Sequence, residues 1–254
     1  MNKHLISFNR TMGFFHLIQG GILLILALTV DVFKDFKPTI FGHFLEVSEG
    51  GGYGPVTQAL FDLPIGVLAA VFLLLSALFH FLISGPLQDK YLAHIAQGSN
   101  PYRWYEYALS SSVMIVLLAV MFGIVSIEGL LLIFLINGVM NLFGLLMEKM
   151  NPLDRESTDW TPHWFGWIAG LAPWLIILIY LFNNGDLSML PWFVIPGVLF
   201  YFLVFNLFAF NQIAQYKRFS KWSDYVYGER MYVWLSLFGK SILAWFVFFG
   251  ILLA

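Results

Sequence analysis

The stretch Met231-Tyr-Val-Trp-Leu-Ser-Leu-Phe-Gly-Lys240-Ser-Ile-Leu-Ala-Trp-Phe-Val-Phe-Phe-Gly-Ile-Leu-Leu-Ala254 decides how this chain is read. It is long and apolar enough to cross a bilayer as a helix, and Lys240 is the one charge between Arg230 and the C-terminus. A lysine near a bilayer centre costs about 2.5–3.5 kcal/mol on insertion scales. Lysines that snorkel to the interface cluster at helix ends, whereas Lys240 lies mid-segment. Unlike arginine, a desolvated lysine can shed its proton, and its neutral amine is a nucleophile toward carbonyls. Lys240 is therefore a candidate for a Schiff-base linkage.

The rest of the chain fits a protein whose solvent is mostly lipid. Of 254 residues, 59% are hydrophobic and 11% charged, far from the balance of a soluble domain. The net charge of −2 gives no sign of a nucleic-acid partner. Cysteine is absent, which excludes disulfides, thiolate catalysis and Cys-type metal sites. No small-residue cleavage site follows the first apolar run, so the first helix is expected to be retained.

Seven segments have spanning length: Gly13–Val30, Ala59–Ile83, Tyr102–Ile124, Ile127–Leu146, His163–Phe182, Leu190–Phe210 and Met231–Ala254. The fold class is thus all-α membrane protein, a seven-helix bundle expected to form one domain over 1–254. Phe210–Tyr216 and Lys221–Arg230 are expected to extend helices beyond the membrane. Pro64, Pro173 and Pro196 fall within spans and predict bends in the second, fifth and sixth helices. Tyr102, Trp104, Trp160, Trp164, Trp192, Trp222 and Tyr225 read as interfacial aromatics. The first loop, about 31–57, is the long one, and Thr39–Val47 predicts a small hairpin before the glycine turn at Gly50–Pro55.

Ten of the 13 basic residues (Lys3, Arg10, Lys90, Arg103, Lys149, Arg155, Lys217, Arg218, Lys221 and Arg230) fall on the N-terminal side of the membrane. Lys34 and Lys37 fall on the other side, and Lys240 is inside. The positive-inside rule then predicts a cytoplasmic N-terminus, an extracellular C-terminus and an extracellular first loop.

A protonated Schiff base in a membrane needs a counterion. Glu106, one to two turns into the third helix, is the candidate carboxylate; its alternative partner is Arg103. Helical side chains lean toward their own N-terminus, so the Lys240 stem points back toward the depth of Glu106. Ser110, at i+4 from Glu106, shares its face. His16, His80 and Ser76, with Ser236 one turn before Lys240, could form a polar pocket, although a lone intramembrane histidine is as readily a packing residue. Asn137 and Asn141 predict interhelical hydrogen bonds, and Glu148, Glu229 and Tyr225 a network with Arg103. Met114, Trp167 and Phe205 are candidate apolar contacts. Hydrolase, nucleotide-binding and zinc-protease motifs are absent, and the chain does not read as an enzyme.

The Arg103-Trp-Tyr-Glu-Tyr-Ala-Leu-Ser-Ser111 run, the Ser236-Leu-Phe-Gly-Lys240 run, the inverted orientation and the long first loop resemble the heliorhodopsins, over the whole chain. Microbial retinal pumps instead have an external N-terminus, an Asp one turn before the lysine and a second carboxylate about three turns along the third helix. Ser236 and Leu117 stand at those two positions here. The resemblance implies a rhodopsin-like bundle in a prokaryotic plasma membrane, with all-trans retinal on Lys240 and Glu106 as counterion. It places His16, His80, Ser76 and Ser236 around the Schiff base, and implies a homodimer and a non-pumping photoreceptor with a sensory or signalling role. A light-driven ion transporter, or a retinal-free membrane enzyme or transporter using Lys240, are the competing readings. For the dimer, Gly166 and Gly170 give a Gly-x-x-x-Gly spacing in the fifth helix, beside Gly138 and Gly144 in the fourth; packing within one chain is the alternative use of the same spacing.

Overall fold

The structure, a computed structural model, describes residues 2–47, 50–183 and 190–253. Seven of its helices are long and apolar enough to cross a membrane. They are α1 (Asn2–Thr29), α3 (Ile65–Ile83), α5 (Pro101–Met121), α6 (Ile127–Met150), α7 (Thr161–Asn183), α8 (Val194–Tyr216) and α9 (Tyr225–Leu253). Two shorter helices, α2 (Asp31–Lys34) and α4 (Gln88–Ala96), lie in the connections.

The long helices form a ring in which α1 packs on α3, α3 on α5, α5 on α6, α6 on α7, and α8 on α9, which closes onto α1 and α3. The seam between α7 and α8 is different. These two do not approach closely, and long side chains such as Trp174 with Phe202 and Phe205 bridge them. The apolar core runs through α3, α5 and α9, with Phe72, Leu73, Ile115, Leu117 and Leu243 fully buried. Large apolar residues also point outward, among them Ile18 and Ile25 on α1, Leu132 on α6, Ile168 on α7 and Leu203 on α8. Such a surface is stable where hydrocarbon replaces water as the solvent.

The expected hairpin forms, and it extends further than the sequence suggests. Strand β1 (Thr39–Val47) pairs antiparallel with β2 (Tyr53–Asp62) from Thr39 opposite Asp62 to Val47 opposite Tyr53, with a one-residue register shift between Ile40 and Phe41 that leaves Leu60 unpaired. Its base is tied to the start of α6: Phe41 N donates to Val125 O at 2.8 Å and His43 N to Glu128 Oε1 at 2.7 Å.

Several helix boundaries are corrected. Residues 59–62, expected in the second span, belong to β2, because pairing with β1 satisfies their backbone. Pro64, expected to bend that helix, is its N-cap, where a missing N–H costs nothing. Pro196 lies in the first turn of α8, again where its nitrogen has no helical partner to lose, so only Pro173 stands in a helix interior. The first helix begins at Asn2 rather than Gly13, since polar residues end an apolar run without ending a helix. Lys221–Arg230 is not one helix: a 3-10 turn covers Ser220–Ser223, and Asp224 Oδ1 accepts from Val226 N at the start of α9. The expected span from Leu190 narrows to Val194, and the last helix is described to Leu253, Ala254 lying outside the described residues. Helix α4 had no expectation; it buries Tyr91 and Ile95 against Leu5 and Ile6, and burial pushes the Tyr91 phenol pKa up.

Candidate functional site

Three helices bring one charged pair together in the bundle interior. Lys240 on α9 and Glu106 on α5 are both buried, and Lys240 Nζ donates to Glu106 Oε1 at 2.6 Å. Ser76 on α3 completes the group. Its Oγ lies 2.6 Å from Nζ and 2.6 Å from the same carboxylate oxygen, so the hydroxyl accepts from the amine and donates to the carboxylate. The Lys240 stem does lean back to the depth of Glu106. Nζ also lies 5.1 Å from the centroid of the Tyr107 ring, whose hydroxyl donates to Tyr232 O at 2.9 Å.

Arg103, the alternative partner of Glu106, is engaged elsewhere through its two terminal nitrogens. Its guanidinium pairs with Glu148 on α6 and Glu229 on α9, and lies 3.9 Å from the Tyr232 ring centroid. Asn100 reinforces both carboxylates: Nδ2 donates to Glu229 Oε1 at 2.5 Å and the backbone N to Glu148 Oε2 at 2.8 Å. Tyr225 donates to Glu148 Oε1 at 3.1 Å. The network expected from sequence is present, with Asn100 as an unforeseen member.

Between the two charged groups lies a small polar cavity, lined by Ser76, His80, Glu106, Ser236, Asn100 and Glu229 among others. His80 Nδ1 lies 2.9 Å from Asn9 Oδ1, an acceptor, so this nitrogen carries the proton. Asn9 was missed because α1 was read as beginning after it; within the true helix it stands two turns before His16, on the same face. His16 stacks on His80 at 5.6 Å between centroids, and neither of its ring nitrogens has a partner among the described residues. Ser236 Oγ is likewise without a partner. Ser110 lies beside the Glu106 carboxylate, buried, but makes no hydrogen bond of ordinary geometry.

On the other side of Lys240 is a small apolar cavity whose walls include Met114, Tyr201, Val204, Phe205 and Gly239. Met114 and Phe205 are where the sequence places them. Trp167 is not in this cavity. It lies in an adjoining cleft along the α7–α8 seam, where its Nε1 donates to His163 Nε2 at 2.9 Å. Phe205 lines both spaces. Tyr201, buried with its hydroxyl unpartnered, was missed, because nothing distinguishes it among so many aromatics. Asn137 and Asn141 donate to Ser111 Oγ at 2.8 and 2.9 Å, the interhelical bonds expected of them.

A side chain at Gly166 would meet Phe143 and Met140 of α6, and one at Gly170 would meet Met140. Both glycines line the cleft. Gly138 and Gly144 likewise face α5.

The donor set fits a retinal chromophore. A buried amine stands at the end of an apolar cavity, with a carboxylate and a hydroxyl already on its nitrogen. Comparison with curated proteins gave no match. The heliorhodopsin family model matches residues 5–252. A chain matched over nearly its whole length, with seven spanning helices around this lysine, belongs to the heliorhodopsin family of retinal-binding, light-sensing membrane proteins.

Proposed function

We propose that this protein is a non-pumping photoreceptor in which Lys240 carries all-trans retinal as a protonated Schiff base and Glu106 is its counterion. The 2.6 Å approach of Nζ to Glu106 Oε1 carries the reading, because in a low-dielectric interior a fixed negative charge holds a proton on nitrogen. Retinal, when bound, supplies light absorption and a double bond that isomerises. The chain supplies the rest. Ser76 orients the carboxylate, while His80, His16, Ser110 and Ser236 offer a polar space into which charge can be redistributed. Met114, Phe205 and Tyr201 wall the apolar side, and Trp167 contributes from the neighbouring cleft.

Two positions support sensing over transport. Leu117, along α5 from Glu106, is fully buried and apolar, and Ser236 stands one turn before Lys240. Neither supplies the relay carboxylate that a proton path requires. The basic residues support a cytoplasmic N-terminus, and a prokaryotic plasma membrane is the proposed location. A homodimer through α6, α7 and the hairpin is proposed on different residues from the glycines: Leu132, Val139 and Ile168 point outward, as do Phe44, Leu45 and Val47 of β1. Adding all-trans retinal to purified apoprotein tests the core of this reading. A visible band that borohydride reduction fixes to Lys240 is expected; a band fixed to another residue would reject it.

A further inference from the structure

At the end of the bundle that holds the Arg103 cluster, an open groove runs between the α4–α5 turn and the α6–α7 connection. The two segments meet at Gly98, whose φ of +72° suits glycine and where any Cβ would strike Leu153. Glu148 lines the groove but is taken: Arg103 and Tyr225 hold its Oε1, and Asn100 N and Ser99 Oγ hold its Oε2. Two other charges on the same groove are not taken. Lys149 and Asp154 are both exposed, and neither side chain has a hydrogen bond or ion pair among the described residues, even with the other. The side chains of His94 and Gln97, on the α4 side, are also without hydrogen-bond partners among the described residues.

The groove continues onto the membrane-spanning part of α5. Tyr105 lines it and is 46% exposed, and Leu109, at i+4 on the same face, is 43% exposed. Tyr102 and Tyr105 are aromatics at the depth where a bilayer gives way to water. Polar groups at loop level, above an exposed apolar strip on a spanning helix, suit an amphiphile rather than a water-soluble molecule. The two untaken charges decide which amphiphile. An anionic head group would be attracted by Lys149 and repelled by Asp154, whereas one that joins a phosphate to a primary ammonium satisfies both. We propose that this groove is a phospholipid site selective for phosphatidylethanolamine. The phosphate lies at Lys149, the ammonium donates to Asp154, and an acyl chain follows Tyr105 and Leu109. This site lies outside the Lys240 cavity and does not rest on the reading of that lysine.

The test is native mass spectrometry of the full chain, freed of lipid in detergent and titrated with phosphatidylethanolamine or phosphatidylglycerol of identical acyl chains. Phosphatidylglycerol carries the same phosphate without the ammonium. One saturable phosphatidylethanolamine per chain is expected, bound about fivefold tighter than phosphatidylglycerol, the scale of one exposed charge pair. Asp154→Asn should erase that preference, and Lys149→Gln should weaken both lipids. The absence of a saturable site, phosphatidylglycerol binding as tightly as phosphatidylethanolamine, a preference that survives Asp154→Asn, or affinities that Lys149→Gln leaves unmoved each overturns the proposal. Both positions are exposed, so the variants are expected to fold, and a thermal midpoint matching the unaltered chain in detergent checks this. Should either fail, the comparison of the two lipids on the unaltered chain still decides.

Discussion

Arg103 and Glu106 stand one turn apart on α5, yet they do not pair. Glu106 is bonded to Lys240 and Ser76, and Arg103 to Glu148 and Glu229. The two buried charge systems are thus separate, with the polar cavity between them.

Glu106→Gln removes the negative charge beside the Lys240 nitrogen. In retinal-loaded protein the pH midpoint of the visible band should move lower, so that a blue-shifted, deprotonated form dominates near neutral pH in low-halide buffer. Ser76→Ala, which removes one of two hydrogen bonds to Nζ, should shift the midpoint the same way by less. An unchanged titration in Glu106→Gln would take the counterion role from this residue.

Lys240→Ala should fold in detergent and stay colourless with retinal. Absorbance after reconstitution is the measurement, and a hydroxylamine-sensitive visible band in the variant would place the linkage elsewhere.

Arg103→Gln leaves two buried carboxylates facing each other. Breaking such a pair typically costs about 3–5 kcal/mol, and a clear drop in thermal midpoint in detergent is expected. Adding Glu229→Gln should recover part of that loss by removing one of the stranded charges. A double variant no more stable than the single one would show that the cluster contributes little to the fold.

Gly166→Leu and Gly170→Leu together should alter the chromophore and leave assembly alone, because both positions face Met140 and the cleft. Absorbance and light scattering on the same sample distinguish the effects. A dissociated dimer with an unchanged spectrum would restore these glycines to an intersubunit surface.

Illumination of cells in unbuffered medium should produce no protonophore-sensitive pH change. A sustained light-dependent drift that Lys240→Ala abolishes would establish pumping.

The meeting of Lys240 with Glu106 was legible in the sequence because it follows from two local rules. Charge is rare in an apolar segment, and side chains lean toward the helix N-terminus. The Arg103 cluster was legible for the same reason, since each member is costly to bury alone. Other parts depend on partners that no local pattern names. Residues 59–62 read as the start of an apolar helix until β1 is alongside to pair with them. The Gly-x-x-x-Gly spacing requires a close neighbour without saying whether that neighbour is in the same chain. Trp167 on α7 and Tyr201 on α8 line different spaces, and in a sequence with 27 Phe, 11 Tyr and 9 Trp no composition signal separates them.

The looseness of the α7–α8 seam makes the bundle mechanically uneven. Salt bridges tie α5, α6 and α9 at one end, and the hairpin ties α6 to the α1–α3 connection at the other. Regions held by few close contacts open at lower free energy than the core. A push delivered from the Lys240 cavity therefore meets stiff walls in most directions and a compliant one toward Phe205. The ring is built as an incomplete hoop, and its give is directed sideways into the plane of the membrane.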